Sequence, residues 1–463
     1  MKKHLLSLLV ALVATASSLP MAAQEAYAVF TEANSTLTFY YDNLRSTRPG
    51  TKYDMPTKGA IPGWTGTYTA PQEKIKHAVF DVSFADYRPM FTCSWFEQCA
   101  KLQDIKDIRN LNTENVINMT YMFSGCSSLT SLDLTNFNTA NVTNMGSMFF
   151  NCSSLESLNL NNFNTEKVTS MKYMFVSCSS LISIDLTSFN TANVTDMCDM
   201  FDNCCSLKSL DLTNFNTEKV TDMGSMFDNC SSLASLNLTN FNTANVTDMS
   251  GMFSNCSSLA SLNLTNFNTK KVTDMRYMFM GCSSLESLNL TNFNTANVTD
   301  MRSMFRNCSS LKSLNLTNFN TANVTDMRSM FFGCRSLTSL NLTNFNTKKV
   351  TDMYGMFNNC SSLTTIYCND DWSVGGKVKY HDHMFINCPN LKGEGAAYDS
   401  SKTDIEMANP TTGYFTTKTN TGIDHVTAAS KVGDGKIYDL SDRQVSKNYK
   451  GVVVTNGRKI LQC

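Results

Sequence analysis

The chain has 463 residues and a formal net charge of -1 at pH 7. This balance provides no broad basic surface, which excludes nucleic acid as the main partner. The length predicts about three domains by the usual rule of ~150 residues each, but the rule fails for an array of short repeats, so repeats have to be identified first.

The amino terminus has the features of a secretory signal peptide. Two lysines precede an apolar stretch over residues 5–13, and small residues follow it as far as Ala23. We predict that residues 1–23 are removed and that the mature chain is secreted, to the extracellular space or the outer-membrane surface. No later run approaches the ~20 apolar residues that a membrane-spanning helix requires, so no transmembrane segment is expected. The first cysteine, Cys93, is far from the cleavage site, which argues against a lipid anchor.

Residues 24–92 are predicted to form a small β-rich cap. Its strand candidates are residues 36–41 and 78–84. The segment contains two distinctive strings, RSTRPGTKYDM at residues 45–55 and FDVSFADYRP at residues 80–89.

A repeat of 26 residues fills the middle of the chain. Weaker copies surround Cys99 and Cys388, and atypical end copies are what a stack of repeats needs as caps. We predict about twelve coils over residues 93–391. The repeated cysteines that define the period are Cys126, Cys152, Cys178, Cys204, Cys230, Cys256, Cys282, Cys308, Cys334 and Cys360.

Within one repeat the spacing of apolar residues changes. Leu236 and Leu238 alternate with polar residues, a period of two that predicts a short strand with one buried side. The next apolar residues are spaced by three and four, as on one face of a helix; they are Val246, Met249, Met252, Phe253 and Cys256. The predicted fold class is therefore an α/β repeat solenoid, a leucine-rich-repeat-like stack in which each coil has one short strand and one short helix.

One position before each predicted helix carries a polar residue that can cap it. Asn144 and Ser170 occupy this position in the first coils, and aspartate occupies it afterwards. All three residue types are good helix N-caps. A calcium-binding ladder is the alternative, but Asn144 and Ser170 provide no charge, whereas capping accounts for every coil. The predicted structural caps are Asp196, Asp222, Asp248, Asp274, Asp300, Asp326 and Asp352.

The repeat resembles that of a known group of proteins. The string MFSNCSSLASLNL at residues 252–264 resembles the leucine-rich repeats of BspA-like bacterial surface proteins, and TNFNTANVTDM at residues 239–249 resembles the subgroup shared with mycoplasma-type surface lipoproteins. The resemblance extends over residues 94–391, and the two strings in the cap and GYFT at residues 413–416 share it. Where ordinary leucine-rich repeats place an inward Asn, this chain has Phe, as at Phe241, so we expect a Phe stack to replace the Asn ladder.

The 17 cysteines allow two interpretations. Adjacent strands lie close enough for disulfides, which secreted proteins often contain. The repeated cysteine, however, lies in the apolar pattern, where a free thiol packs as a small hydrophobic group. We expect reduced, packed thiols in the ladder; the cysteines outside its phase are Cys93, Cys198, Cys205, Cys368 and Cys463.

No catalytic motif is evident, so we expect neither an enzyme nor a cofactor. His381 and His383 flank Asp382, but no neighbouring ligand completes a known metal spacing, and a polar loop is the expected structure. The repeated acidic residues share one environment, whereas an acid and base pair needs two different ones.

Two surfaces are candidates for binding. The first is the outward side of the predicted strands, because solenoid sheets tend to bind ligands; its residues are Ser209, Asp211, Thr213, Ser235, Asn237, Thr239, Ser261, Asn263, Thr265, Ser287, Asn289 and Thr291. The alternative is a basic stripe of Arg276, Arg302 and Arg328, which the nearby aspartates would partly neutralise. Either surface can also be interpreted as ordinary solvated polar residues that bind no ligand.

The carboxyl-terminal segments complete the organisation. We predict a cap over residues 392–416, a linker over residues 417–435 and a β-hairpin segment over residues 436–463, with its turn at Asn456 and Gly457. The last segment resembles sorting signals of the type-nine secretion system, which implies export to the cell surface.

The resemblance to BspA-like proteins implies adhesion. The expected partners are extracellular proteins or glycans, with host matrix proteins such as fibronectin or fibrinogen implied by the resemblance alone. The alternative is a structural spacer or coat component without a specific ligand.

Overall fold

The computed structural model describes residues 23–374 and 377–418, together with the backbone of four short strands between residues 437 and 462. The chain divides into two compact units, one ending at Thr416 and one running over Thr417–Cys463. The predicted signal peptide lies outside the described residues except for Ala23, and so does most of the predicted linker.

The first unit is built from short strands and turns. Its strands are β1 (Glu25–Thr31), β2 (Thr36–Asp42), β3 (Thr51–Asp54), β4 (His77–Phe80), β5 (Asp104–Lys106), β6 (Ser157–Asn159), β7 (Ser183–Asp185), β8 (Ser339–Asn341), β9 (Thr365–Tyr367) and β10 (Phe415–Thr416). Its helices in the described residues are four short 3-10 segments, Glu32–Asn34, Val82–Asp86, Ile108–Asn110 and Ile405–Met407.

The amino-terminal cap is a five-stranded sheet in the order β3-β1-β2-β4-β5. The predicted strand at residues 36–41 corresponds to β2, but the one at residues 78–84 ends early. Asp81 accepts a hydrogen bond from the Ser83 amide and begins a 3-10 helix there, so only the first part of that prediction is extended. Because β5 belongs to the first coil, the sheet of the cap continues into the repeats.

Twelve successive coils stack in parallel. A chain of backbone bridges joins one residue of each coil to its equivalent in the next, from Phe91 through Asn118 and on to Tyr380 at the far end. The predicted repeat solenoid is therefore confirmed, with the expected number of coils. Strands of neighbouring coils are also parallel and in register in the strand pairs β6 with β7 and β8 with β9.

The short helix predicted in each coil is wrong, because consecutive turns take its place. In the coil that begins at Met223, alternate amides donate to carbonyls of the next coil at 2.7–3.1 Å, while the amides between them donate three residues back at 3.0–3.3 Å. Ser225 and Asn229 have positive φ values of 50° and 56°. A right-handed helix cannot continue through a residue in this left-handed conformation, and such a residue recurs here after four positions. Turns of four residues reproduce the apolar spacing of a helix, which is why the two patterns were indistinguishable.

The left-handed residue before each ladder cysteine provides a test of this turn. We expect Asn229→Val to destabilise the protein by about 1–2 kcal/mol, because a β-branched side chain is strained at positive φ. Asn229→Gly should be nearly neutral, since Gly281 and Gly333 occupy the equivalent position with φ values of 72° and 71°. Chemical denaturation of both variants measures the difference; equal stability of the two would argue against a left-handed turn at residue 229.

The apolar residues of the repeat form one continuous core. Val246, Met249, Met252, Phe253 and Cys256 are all 0% exposed, so their predicted inward orientation is confirmed although the helix is not. The phenylalanines equivalent to Phe253 stack in an uninterrupted column from Phe96 to Phe385, with ring centroids 5.4–5.9 Å apart. Each coil thus supplies one layer of a core that only its neighbours complete.

A buried threonine ladder, absent from the predictions, connects the coils on another side. Thr243 is 0% exposed; its hydroxyl donates to the Asn268 carbonyl at 3.1 Å and accepts from the Asn268 amide at 2.8 Å. Equivalent threonines repeat this pair of bonds; they are Thr113, Thr139, Thr165, Thr191, Thr217, Thr269, Thr295 and Thr321. One side-chain hydroxyl therefore both donates a hydrogen bond to the backbone of the next coil and accepts one from it, as a peptide group would.

The prediction that a Phe stack replaces the Asn ladder is only half right. Phe241 is buried as expected, but the preceding position carries an Asn that bonds to the previous coil. Asn266 Nδ2 donates to the carbonyls of Leu238 at 3.0 Å and Phe241 at 2.6 Å. An Asn ladder is thus present, displaced by one residue from the expected place.

The cysteines of the described residues are free thiols. Each ladder cysteine is buried and donates to the carbonyl of a phenylalanine in the previous coil, as Cys256 Sγ does to Phe227 at 3.2 Å. Burial raises the pKa of Cys178 and of Cys282 to about 12, which keeps both in the unreactive thiol form. Cys463 lies outside the described residues.

Both ends of the phenylalanine column are closed by aromatic residues. At the amino-terminal end Phe96 packs edge-on against Phe39 of the cap sheet. At the other end Tyr414 and Phe415 contact Phe385 edge-on, at centroid distances of 5.3 and 6.4 Å. The GYFT string at residues 413–416 therefore covers the last layer of the core.

The second unit has four described strands. They are β11 (Ile437–Asp439), β12 (Gln444–Val445), β13 (Gly451–Thr455) and β14 (Arg458–Gln462), in the order β12-β11-β13-β14. The antiparallel register pairs Thr455 with Arg458, on either side of the two residues at which we predicted the turn. The turn residues themselves, Asn456 and Gly457, lie outside the described residues.

Candidate binding surfaces

The strand face consists of the twelve predicted polar residues from Ser209 to Thr291 named above, and all of them are exposed. Their side chains are largely occupied with one another. The Thr239 hydroxyl donates to Asn237 Oδ1 at 2.8 Å, and the Thr239 amide donates to the same oxygen at 3.1 Å. Because all four coils of the strand face repeat this pair, the same hydroxyls and amides recur from coil to coil.

Among the twelve strand-face residues, only Asp211 carries a charge. Asp211 takes the place of Asn237 in its coil, and hydrogen bonds from the Thr213 amide and hydroxyl lower the pKa of its carboxyl. Asp211 therefore stays ionised at neutral pH. The neighbouring coils with Asn at this position provide the same geometry without the charge.

A second surface, here called the turn face, carries the aspartates predicted to cap helices. Each accepts a hydrogen bond from the amide two residues on, as Asp248 Oδ1 does from Ser250 at 2.8 Å. This bond closes a small turn of the Asx type. The aspartates therefore cap a turn and not the predicted helix. All seven make the same hydrogen bond.

The predicted basic stripe lies on the turn face, beside these aspartates. Arg276 pairs with Asp274 at 3.2 Å, and Arg328 pairs with Asp326 at 3.4 Å and Asp352 at 3.6 Å. Arg302 also has two acidic neighbours, Asp300 at 3.5 Å and Asp326 at 3.9 Å. The stripe is therefore partly neutralised by its own coils, as the alternative interpretation expected.

A cavity of about 460 Å³ opens on the turn face. It exists because one coil carries only small residues where the next carries large ones, since Ser250, Gly251 and Ser254 are equivalent to Arg276, Tyr277 and Met280. Its lining residues are Ser225, Asp228, Ser250, Gly251, Ser254, Arg276, Tyr277, Met280 and Arg302. The prediction found Arg276 and Arg302 but not the cavity; comparison of outward residue sizes between coils would have located it.

An acidic cluster lies next to the cavity. Burial and the neighbouring carboxylates of Asp228 and Asp199 raise the pKa of Asp202 to about 7, and burial also raises the pKa of Asp228 and Asp199. Asp199 accepts a hydrogen bond from the Cys198 thiol at 2.7 Å. The acidic cluster therefore lies on the amino-terminal side of the cavity, and the three arginines, each with an aspartate partner, begin on its carboxyl-terminal side.

The described residues contain no group of three or more His, Cys, Asp or Glu side chains arranged to hold a metal ion. In the same part of the chain, no helix has the length and apolar character needed to cross a membrane. His383, predicted to lie in a polar loop, is exposed and its Nδ1 lies 2.9 Å from the hydroxyl of Tyr354.

Comparison with known families decides the relationship of the chain. The model of a family described as "Mycoplasma protein of unknown function, DUF285" matches residues 91–210, 179–288, 203–313 and 283–398. These matches run together from residue 91 to residue 398, well over half of the 463 residues. The chain belongs to the DUF285 family.

Solved structures similar to this DUF285 chain are leucine-rich-repeat proteins. One from Bacteroides ovatus is 18% identical, with 80% of this chain and 92% of that chain covered and a TM-score of 0.36. A leucine-rich cell surface protein from Faecalibacterium prausnitzii is 18% identical, with coverage of 79% and 100% and a TM-score of 0.40. The predicted relationship to a mycoplasma-type repeat family is confirmed by the match of the DUF285 model.

A third solved structure matches part of this DUF285 chain. The functional domain of InlJ from Listeria monocytogenes includes a cysteine ladder; it is 13% identical, with 61% of this chain and 66% of that chain covered and a TM-score of 0.22. No curated protein sequence matches the chain.

The acidic cluster of this DUF285 chain should make its stability depend on pH. Asp202 has a higher pKa folded than unfolded, so its ionisation opposes folding, and its contribution is lost as the pH rises from about 4 to about 7. We expect Asp202→Asn to raise the melting temperature at pH 8, where the carboxylate is ionised, and to raise it much less at pH 5, where the carboxyl is mostly protonated. The gain at pH 8 should be only a few degrees, because solvent screens a half-exposed group. Asn358 occupies the equivalent position, so the fold accommodates the substitution.

Thermal unfolding monitored by circular dichroism at pH 5 and pH 8 measures this effect. Asp211→Asn is the matched control, because the pKa of Asp211 is shifted downward and its carboxyl is fully exposed. A gain for Asp202→Asn that is the same at both pH values would contradict the assignment.

Proposed function

We propose that the chain is a secreted cell-surface protein that binds extracellular proteins or glycans through an extended repetitive surface, in the manner of an adhesin. The single observation that supports this most is the strand face, where the same exposed Ser, Asn and Thr side chains recur in coil after coil at constant spacing. A ligand that is itself repetitive can contact many such sites at once. The proposal assigns no catalytic step to the chain.

The physical argument is one of multivalency. The Asn237 and Thr239 side chains bond to each other, so each coil offers only a modest contact to a ligand. Linked weak contacts nevertheless give high avidity, because after the first contact each later one forms within a single complex. The stacked core holds the coils in fixed register, so little conformational entropy is lost when the contacts form together.

Binding to immobilised fibronectin, fibrinogen and mucin glycans tests the proposal. A variant without residues 127–204 lacks three whole coils, in which Ser131, Asp133 and Thr135 and their equivalents extend the rows of the strand face with further exposed residues. The deletion joins Cys126 to the residue that follows Cys204, so the repeat pattern continues across the junction. This deletion leaves the cavity residues in place. We expect the full chain to bind at least one ligand saturably, and the shortened chain to bind it about tenfold more weakly or worse.

The melting temperature of the shortened chain serves as the control for folding. Saturable binding that is unchanged by the deletion would contradict an extended binding surface. Absence of binding to every ligand, together with ordered self-assembly, would instead favour a structural spacer or coat component.

A further inference from the structure

We propose that the cavity on the turn face binds a carboxylate-bearing sugar unit of an extracellular glycan, with its carboxylate at Arg276 and Arg302 and its hydroxyls at Asp228. This inference rests on the proposed function and names a ligand class for a second site, distinct from the strand face. Three features of the cavity support it.

The first feature is the shape of the cavity. At about 460 Å³ it falls within the range of small-ligand sites. Ser250 and Gly251 leave it open, and Gly251 has a φ of 61° with the Ser225 hydroxyl so close that even a Cβ would lie 2.9 Å from it. The cavity is therefore a local departure from the repeat on the turn face.

The second feature is the pair of arginines on the carboxyl-terminal side of the cavity. Arg276 pairs with Asp274 through Nε at 3.2 Å, and its side chain is still 39% exposed. Arg302 Nε is buried and has an acidic neighbour at 3.5 Å, yet makes no hydrogen bond with the described part of the chain. A guanidinium group matches a planar carboxylate, which can accept two parallel N–H bonds.

The third feature is the opposite side, which distinguishes an acidic sugar from a simple anion. Asp228 lines the cavity and would repel an anion that had no hydrogen-bond donors. Sugar hydroxyls are such donors, and the hydroxyls of Ser225 and Ser250 can bond to the same groups. Tyr277 and Met280 add apolar contact area for the C–H side of a sugar ring or for an N-acetyl methyl.

Calorimetric titration of the full chain with N-acetylneuraminic acid and glucuronic acid tests the proposal. N-acetylglucosamine and glucose are the neutral controls, glucose 6-sulfate replaces the carboxylate by a sulfate, and a glutamate-rich peptide provides carboxylates without sugar hydroxyls. We expect at least one carboxylated sugar to bind about tenfold or more tightly than the three other kinds of probe. Equal or tighter binding of a neutral sugar, the sulfate or the peptide overturns the assignment.

Variants place the binding in the cavity. Ser250→Tyr fills it with a side chain that Tyr354 shows to be compatible with the same position in another coil, and Arg302→Gln and Asp228→Asn remove one polar partner each. We expect each to weaken the carboxylated sugar about tenfold or more. Arg328→Gln removes the third arginine of the stripe, which does not line the cavity, and should leave binding unchanged.

The outcomes separate this inference from the proposed function. If the full chain binds matrix or glycan ligands but no carboxylated sugar, or if Ser250→Tyr and Arg302→Gln both retain sugar binding, the cavity proposal fails while the proposed function stands. If Arg328→Gln weakens binding as much as Arg302→Gln, the attraction is general to the stripe and the cavity proposal is again wrong. Melting temperatures of all variants verify that they fold.

Discussion

Replacement of Phe331 by alanine is expected to reduce the free energy of unfolding by about 3–5 kcal/mol, the cost of removing a large aromatic side chain from a core. Phe331 is fully buried, and its ring stacks between those of Phe305 and Phe357 at centroid distances of 5.8 and 5.7 Å. The cavity that alanine leaves would interrupt the column of rings between two coils. Because coils are stabilised mainly by their neighbours, the loss falls on the contacts that couple the two ends of the array.

The adjacent residue is a matched control. Phe332 points outward, is only partly buried and contacts the guanidinium of Arg306 at 4.3 Å, so Phe332→Ala should cost about 1 kcal/mol or less. Denaturant unfolding of both variants by circular dichroism measures the difference. A second transition in the Phe331→Ala curve would show that the array has divided into two cooperative units. Similar stability of the two variants would contradict the assignment of residue 331 to the core column.

Replacement of Thr243 by valine is expected to destabilise the protein by about 2–3 kcal/mol, although the two side chains have nearly the same shape. The Thr243 hydroxyl satisfies both the amide and the carbonyl of Asn268, and valine would leave these two backbone groups without their partner. An unsatisfied buried polar group costs about 1–3 kcal/mol. A loss of stability with no loss of volume would identify the hydrogen bonds as its cause.

Two further substitutions delimit this effect. Thr243→Ser keeps the hydroxyl and loses only a methyl group, so its cost should be about 1 kcal/mol. Thr247→Val removes an exposed hydroxyl that donates to the Thr221 carbonyl at 3.1 Å; water can replace that bond, and the cost should stay below about 0.5 kcal/mol. Equal costs for the valine variants at 243 and 247 would show that burial of the ladder has no energetic consequence.

The stack and its core were predictable from the sequence because they depend on a period. The return of a cysteine every 26 residues gave the coil length, and the inward positions of Leu236, Leu238 and Phe253 followed from the apolar pattern. A hydrophobic pattern reports which residues are buried, whatever the backbone conformation. This is why Phe253 is inward as predicted even though the predicted helix around it is absent.

The backbone conformation was not predictable from apolar spacing alone, but it has a signal of its own. Asn, Ser or Gly occurs before each ladder cysteine, and Asn and Gly are the residues that most readily adopt positive φ. The left-handed residues at positions 229 and 255 therefore indicated turns. Thr243 was missed for a different reason, since a threonine among polar neighbours does not look buried until its partner in the next coil is known.

The binding surfaces show the same division. All strand-face residues were predicted to be exposed because alternation assigns them outward, but their mutual hydrogen bonds depend on rotamers that the pattern does not specify. The cavity depends on three small residues, Ser250, Gly251 and Ser254, in a single coil. A consensus of all repeats does not show a departure in a single coil, so the residues of that coil have to be compared with those of its immediate neighbours.

The join between one coil and the next is closely similar from residue 113 to residue 346, since the threonine bonds, the phenylalanine stacking and the backbone bonds recur there. Loss or duplication of a 26-residue unit by recombination between near-identical gene segments would therefore yield a chain that still closes at both aromatic ends. Such events would adjust the reach of the protein in steps of one layer. A deletion that took the coil of Gly251 would abolish the cavity at the same time, so length and ligand choice would be inherited together.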